Sequence, residues 1–192
     1  MKLRPSFFLI IFALLFIQCK LALAQSELAN KLHDGTHVLL MRHADAPGYG
    51  DPKNYQISQC STQRNLGESG RKQAKGIGDW LSKQGIQEAK VYSSPWCRCL
   101  DTAILLNKGP VKKEASLGSF FDDMSQAKSQ TNDLEKLIAA ERKQFPNMPI
   151  IMVTHHVNIQ SYVGVVVHSG DMVLVKVNSS GKPVSFKLYP SP

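Results

Sequence analysis

The sequence of 192 residues is poor in several features that would each indicate a particular class of protein. It has only four cysteines, no run of lysine or arginine longer than two residues, and no internal repeat or low-complexity tract. The missing basic blocks argue against nucleic-acid binding. No histidine pair has zinc-ligand spacing with acidic or thiolate partners, so the sequence predicts neither a metal site nor a cofactor. A chain of this length accommodates one domain with a sizeable core.

The first 24 residues have the layout of a secretory signal peptide. Lys2 and Arg4 form a basic start, residues 7–17 are apolar, and Ala22 and Ala24 make a small-x-small cleavage site. The apolar stretch is short for a membrane span, although an uncleaved N-terminal anchor is the alternative interpretation. We therefore predict a periplasmic or secreted protein, without a stable membrane anchor after cleavage, whose domain comprises residues 25–192.

Cleavage changes both the charge and the cysteine count. Residues 1–24 contain three basic residues and no acidic one, so the net charge falls from +8 to +5, which favours anionic partners. Cys19 is removed with the signal, leaving Cys60, Cys97 and Cys99 in an oxidising compartment. We expect one disulfide, from Cys60 to either Cys97 or Cys99, and one free thiol; three free buried thiols are the alternative.

Apolar strand patterns alternate with helical patterns along the rest of the chain. Strands are predicted at residues 37–41, 90–92, 111–115, 150–154, 172–177 and 184–188, and helices at 26–32, 68–84, 97–107, 158–163 and from a cap at Thr131 or Asn132 to Phe145. Two long loops, 44–62 and 117–129, remain between them. The alternation predicts an α/β layered fold with a mostly parallel sheet and a C-terminal antiparallel hairpin.

Charged residues follow three of the predicted strands directly. Arg42 and His43 end the first strand, Arg98 lies just beyond the strand at 90–92, and His155 and His156 follow the strand at 150–154. In open α/β sheets, ligands bind beyond the carboxyl ends of the strands. Guanidinium groups match phosphate oxygens, and a neutral imidazole can attack phosphorus, so this set predicts an anion site with a nucleophile. Strand alternation predicts that only one of the two adjacent histidines enters the pocket.

Four ordered blocks carry a resemblance to a known family. They are Arg42-His43-Ala44, LGESGRKQA at residues 66–74, SSPWCRCLDTA at residues 93–103, and Val153-Thr154-His155. Together they resemble the histidine phosphatase superfamily, which has the phosphoglycerate mutase-like fold. The resemblance implies a three-layer α/β/α architecture with a mostly parallel central sheet.

The resemblance also implies roles for individual residues. His43 corresponds to the nucleophile that becomes phosphohistidine, Arg42 and Arg98 to the arginines that clamp the phosphate, and His155 to the second pocket histidine. His156 stands where the family often has glycine, and it is a candidate substrate-binding residue. Arg64 and Thr62 lie in a loop where family members contact substrate, and they are further candidates.

The proton donor is expected among the aspartates after the second arginine. The run Ser119-Phe120-Phe121-Asp122-Asp123 resembles a Ser-Phe-Phe-x-Asp motif of exported family members, which favours Asp123 over Asp122. A carboxylic acid at neutral pH needs a raised pKa, here from burial beside the phenylalanines. Asp45 is a weaker candidate.

The expected function is that of an exported, metal-independent phosphatase acting on a small anionic phosphorylated substrate. Phosphomutase activity is disfavoured by export and by the short chain. The alternatives are a phosphatase for protein phosphohistidine or for an envelope glycolipid phosphate, and a phosphate-binding protein with weak catalysis.

Overall fold

The computed structural model describes residues 26–192, so the predicted signal peptide lies outside the described part of the chain. Five helices are described: α1 Glu27–Leu32, α2 Glu68–Lys83, α3 Cys97–Leu105, α4 Ala127–Gln144 and α5 His156–Val163. The six described strands are β1 His37–Arg42, β2 Lys90–Ser93, β3 Val111–Lys113, β4 Ile150–Thr154, β5 Met172–Val177 and β6 Pro183–Tyr189. None of the described helices is long and apolar enough to cross a membrane.

The six strands form one sheet in the order β3-β2-β4-β1-β5-β6. Strand β1 pairs in parallel with β4, and β2 pairs in parallel with both β4 and β3. The C-terminal strands β5 and β6 form the predicted antiparallel hairpin, and β5 also runs antiparallel to β1. The predicted α/β class with a mostly parallel sheet is therefore confirmed.

The sheet is covered on both faces, because the central residues of β1 and β4 are buried and apolar on both sides of the sheet. Leu39 and Met41 contribute to one core cluster with residues of α1, α2 and α3. Val38 and Leu40 contribute to a second cluster with residues of α4 and α5. Side chains alternate across a strand, so this division puts helices on opposite faces and gives three layers.

Helix α2 has the predicted apolar stripe. It also approaches the end of α3 closely. Ala74, Ile77 and Leu81 are completely buried on one side of the helix. A Cβ atom at Gly78 would lie 2.3 Å from the carbonyl oxygen of Leu106, so glycine here permits tight packing against the end of α3. Gly78, which weakens the helix propensity of α2, thus serves its packing.

Helix α4 begins earlier than predicted. The sequence indicated a cap at Thr131 or Asn132, but the helix starts at Ala127, directly after a 3-10 turn at Met124–Gln126. The side chain of Asp123 caps that turn by accepting a hydrogen bond from the backbone N–H of Ser125. The predicted cap was wrong because polar residues of the exposed helix face resembled capping residues.

The cysteines adopt one of the two predicted pairings. Cys60 and Cys97 form a disulfide with Cα atoms 5.6 Å apart. Cys99 is a free thiol and is buried. The disulfide joins the loop after β1 to the first residue of α3, immediately before Arg98.

Candidate active site

Residues of three of the four sequence blocks converge at the carboxyl ends of β1, β2 and β4, whereas the block at residues 66–74 enters α2 and does not line the cavity. Backbone hydrogen bonds tie these ends together, from His43 to Thr154 and from Ser94 to Val153. A cavity of about 340 Å³ opens at this edge of the sheet. Seven of the predicted site residues line it: Arg42, His43, Arg64, Arg98, Asp122, His155 and His156.

The imidazole of His43 is held in one tautomer. Its Nδ1 lies 2.8 Å from the carbonyl oxygen of Ala44, and a carbonyl only accepts, so Nδ1 carries the proton and donates it. The Nε2 atom therefore keeps its lone pair. Burial, together with the charges of Arg98, Arg42 and Arg64, lowers the pKa of His43 to about 3 despite the opposing effect of that hydrogen bond. The ring is therefore neutral at physiological pH and has the free lone pair that a nucleophile needs.

Arg42 and Arg98 provide the positive charge beside His43. Arg42 donates from Nη1 to the carbonyl oxygen of Val167, at 2.8 Å, which fixes its side chain. Arg98, at the start of α3, is 4% exposed. The Nε atoms of both arginines are buried and have no hydrogen-bond partner among the described residues. These N–H groups are thus available to an anionic oxygen in the pocket.

His155 is completely enclosed. Its Nε2 lies 2.8 Å from the hydroxyl of Ser94, and its Nδ1 lies 3.5 Å from Nη2 of Arg98. A guanidinium only donates, so the second contact favours the tautomer in which Nε2 carries the proton. Burial lowers the pKa of His155 well below its usual value, with contributions from His43 and Arg98. The indole of Trp96 packs edge-on against the ring, at 5.3 Å between centroids.

Both adjacent histidines line the pocket, so the prediction that only one would do so was wrong. The strand ends at Thr154, His155 is the N-cap residue of α5, and His156 is the first residue of that helix. Strand alternation therefore does not extend to them. Burial lowers the pKa of His156, as do the charges of Arg42, Arg64 and Arg98.

Asp51 is a site residue that the motifs did not reveal. Its carboxylate accepts from Nη1 of Arg98 at 2.9 and 3.0 Å, and the backbone N–H of Arg64 donates to it at 2.9 Å. The indole Nε1 of Trp96 also donates to it, at 3.2 Å. Asp51 lies in the loop after β1, where proline and glycine mark turns but no pattern identifies one aspartate as buried.

The two substrate-binding candidates of this loop lie in different places. Arg64 lines the cavity and donates from Nε to the carbonyl oxygen of Gly50, at 2.8 Å, and from Nη1 to that of Ala46. Thr62 does not line the cavity. Its hydroxyl is bonded instead to backbone groups of Gln56 and Gln59. The structure therefore does not bring Thr62 to the site.

The candidate proton donors Asp122 and Asp123 also lie in different places. Asp122 lines the cavity and accepts a hydrogen bond of 3.2 Å from the hydroxyl of Tyr55. Asp123 points away from the cavity, where hydrogen bonds from Ser125 and Gln126 lower its pKa. The preference for Asp123 with a raised pKa is thus contradicted, because this carboxylate is exposed and serves as a cap. Asp45 lines the cavity and accepts from Ser69 at 2.9 Å.

Two further features concern the rest of the described chain. Within residues 26–192 no group of three or more histidine, cysteine, aspartate or glutamate side chains is arranged to hold a metal ion. A larger cavity of about 710 Å³ lies at the amino end of β2, lined among others by Lys90, Lys108 and Glu141. It contains none of the predicted site residues.

Comparison with known proteins agrees with this geometry. Residues 38–125 match the family model of the histidine phosphatase superfamily (branch 1). The matched region and the fold both make the chain similar to the histidine phosphatase superfamily, as the four blocks predicted. The enzyme class that follows from the family is a histidine-type phosphatase. No curated protein matches the sequence closely enough to count as a relative.

Solved structures share the fold at low sequence identity. The protein histidine phosphatase SixA, complexed with tungstate, is 15% identical with a TM-score of 0.54, over 80% of this chain and 94% of that one. A phosphoserine phosphatase from Entamoeba histolytica, complexed with phosphoserine, is 16% identical with a TM-score of 0.56, over 79% and 96%. A mycobacterial glucosyl-3-phosphoglycerate phosphatase is 14% identical with a TM-score of 0.52, over 80% and 96%.

Proposed function

We propose that this protein is an exported, metal-independent phosphatase that hydrolyses small phosphomonoesters through a phosphohistidine on His43. The observation that supports it best is the state of His43 in the pocket. The imidazole is neutral, its Nδ1–H is bonded to the Ala44 carbonyl, and Arg42 and Arg98 line the same cavity. This is the arrangement that nucleophilic attack on a bound phosphate requires.

The reaction proceeds in two displacements. Arg42 and Arg98 hold the phosphate oxygens while Nε2 of His43 attacks phosphorus and the bond to the ester oxygen breaks. The positive charges stabilise the charge that develops on the equatorial oxygens. Water then attacks the phosphorus, the P–N bond breaks, and inorganic phosphate and neutral His43 are released. His155 lies edge-on to His43, at 5.5 Å between ring centroids, and lines the cavity beside the phosphoryl group.

Asp122 is the proton donor to the leaving oxygen in this proposal. It is the aspartate of the Ser119–Asp123 run that lines the cavity. Its carboxylate is exposed in the described structure, and a bound leaving group would cover it.

A protein phosphohistidine is a second candidate substrate. The exposure of Asp122 favours it, because an imidazole leaving group that is already protonated on its other nitrogen needs no acid from the enzyme. The fold similarity to SixA, a protein histidine phosphatase, is consistent with this candidate. Hydrolysis of a phosphohistidine-labelled protein, measured beside a phosphomonoester, separates the two.

The decisive experiment is hydrolysis of p-nitrophenyl phosphate by the mature protein in the presence of a chelator. We expect chelator-resistant turnover and an acid-labile phosphoryl group on His43 after rapid quenching. His43→Ala should abolish both, whereas His33→Ala, at the end of α1, should retain both. Phosphate binding without turnover or a trapped phosphoryl group would instead indicate a binding protein.

Export is tested separately from catalysis. We expect the protein recovered from the periplasm or the medium to begin at Gln25, as shown by its intact mass. Replacing Ala22 and Ala24 with bulky residues should prevent cleavage. A cytoplasmic protein that begins at Met1 would contradict this part of the proposal.

A further inference from the structure

Three aromatic side chains form the rim of the pocket above the phosphate-binding arginines. The rings of Tyr49 and Phe121 are packed edge-on, at 5.3 Å between centroids, and Phe121 packs on His156 at 5.7 Å. All three residues line the cavity that contains His43. We call Tyr49, Phe121 and His156 the aromatic rim. It lies where the leaving group of a phosphomonoester bound to the arginines has to be.

Tyr49 is unusually accessible for a packed aromatic side chain. It is 88% exposed although its ring contacts Phe121. Gly48 and Gly50 on either side have φ values of 95° and 65°, in the left-handed region that glycine tolerates. The chain therefore turns sharply at Tyr49, and its ring stands at the mouth with a face free to stack on a planar ligand.

The pocket is poorly suited to a second anionic group on the substrate. No lysine lines it, and its cationic side chains are Arg42, Arg64 and Arg98. Arg64 already donates from Nε and Nη1 to loop carbonyls. Asp45 and Asp51 add negative charge to the lining, and Asp51 is already paired with Arg98. A carboxylate next to the phosphate would meet these aspartates with little compensation, and like charges at close range disfavour binding.

We propose that the site selects phosphomonoesters whose leaving group presents an uncharged aromatic ring, and that it discriminates against those with a carboxylate next to the phosphate. This inference rests on the proposed phosphatase function and names the substrate class of the same site. The ring stacks within the aromatic rim, and the arginines hold only the phosphate. The selection depends on the ring itself and not on the atom through which the ring is attached.

The test uses substrates that differ in the ring but not in the chemistry of the leaving oxygen. Benzyl phosphate and n-propyl phosphate both release an alkyl alcohol, so a difference between them reports recognition of the ring. We expect kcat/KM for benzyl phosphate to exceed that for n-propyl phosphate by about 10-fold, the effect of one favourable aromatic contact. 3-Phosphoglycerate should have the lowest kcat/KM of the three.

Variants of Tyr49 test whether the preference for benzyl phosphate comes from the aromatic rim. Tyr49→Ala should bring the benzyl-to-propyl ratio of kcat/KM close to one, mainly through KM, whereas Tyr49→Phe should keep it. Phe186→Ala provides the matched control, because Phe186 is an exposed aromatic residue on β6, outside the cavity lining. That variant should keep the wild-type ratio.

The outcomes separate this inference from the proposed function. Turnover through His43 without a preference for benzyl phosphate, or with a preference that Tyr49→Ala leaves intact, would overturn the inference alone. So would a preference for 3-phosphoglycerate. Absence of turnover and of phosphohistidine with all three compounds would overturn the proposed function and this inference with it.

Discussion

Asp51 and Arg98 form a buried ion pair within the candidate active site, and each side chain is only 4% exposed. The pair joins the loop after β1 to the first turn of α3. Buried charges are costly unless further hydrogen bonds satisfy them, and here Trp96 and the backbone N–H of Arg64 supply such bonds to the carboxylate. Asp51 thus fixes one edge of the Arg98 guanidinium, and Nε, which has no partner among the described residues, remains for the substrate.

Asp51→Asn should therefore destabilise the fold and weaken catalysis together. Removing one partner of a buried pair leaves the other charge uncompensated, so we expect a loss of about 3 kcal/mol in the free energy of unfolding. Urea denaturation measures it, and kcat/KM for p-nitrophenyl phosphate should fall as Arg98 loses its orientation.

Trp96→Phe provides the matched control for this prediction, since it removes only one of the donors to Asp51. Its effect on stability should be about 1 kcal/mol, the usual contribution of one hydrogen bond. Equal losses of unfolding free energy in the two variants would show that the charge of Asp51 contributes no more to stability than one hydrogen bond does.

The disulfide should stabilise the protein and support the geometry of the pocket. Cys60 and Cys97 are 37 residues apart in the sequence. Closing a loop of that length in the unfolded chain contributes about 4 kcal/mol in the chain-entropy model. We expect dithiothreitol to lower the midpoint of thermal unfolding and to raise KM, because Cys97 directly precedes Arg98. The double variant Cys60→Ser and Cys97→Ser should be equally destabilised and should not respond to the reductant; a response would implicate another thiol.

The central part of the site could be predicted from the sequence. Arg42, His43, Arg98 and His155 all follow apolar strands, and parallel strands place their carboxyl ends at one edge of a sheet. The apolar strand pattern and the fold class were therefore sufficient to predict that these side chains lie close together. Local pattern also predicted the hairpin of β5 and β6, since two short runs rich in apolar residues flank a turn containing Gly181.

The remaining features depend on contacts that no local pattern encodes. Asp51 is buried only because its loop folds across α3, where Arg98 and Trp96 meet it. The choice between Asp122 and Asp123 depends on one residue of register in a 3-10 turn. His156 enters the pocket because a helix begins there, and strand periodicity cannot reveal where a strand ends.

The pocket histidines should make the protein sensitive to acid. Burial lowers the pKa of His43 from 6.5 to about 3 in the folded protein, so between these values the unfolded state binds more protons. The contribution of neutral His43 to the free energy of unfolding is complete above about pH 6.5. It declines by about 1.4 kcal/mol per pH unit as the pH falls toward 3. His155 acts in the same direction.

Urea denaturation at pH 7 and pH 5 measures this dependence. His43→Gln, which cannot titrate, should lose less stability between the two pH values than the wild type, by about 2 kcal/mol. His33→Gln controls for the replacement of a histidine away from the pocket and should follow the wild type. An equal pH dependence of the wild type and His43→Gln would show that His43 is not buried in its neutral form.

Two glycines of α2 give opposite predictions for the same substitution. A Cβ atom at Gly70 would lie 1.9 Å from the carbonyl oxygen of Asp45, two residues after His43, whereas one at Gly76 would have no atom within 4 Å. Gly70→Ala must push the chain after β1 away from the helix, and we expect it to cost about 1–3 kcal/mol and to lower kcat/KM. Gly76→Ala should stabilise the helix by about 0.5–1 kcal/mol and leave kcat/KM unchanged.

Thermal unfolding and p-nitrophenyl phosphate kinetics of both variants check this contrast. Helix propensity favours alanine equally at the two positions, so any difference between the variants comes from the contact with Asp45. If Gly70→Ala retained full activity, the segment after His43 would not need the close approach of α2 to hold the nucleophile in place. The Gly70 contact would then serve packing alone, and the Nδ1 hydrogen bond to Ala44 would be sufficient to orient His43.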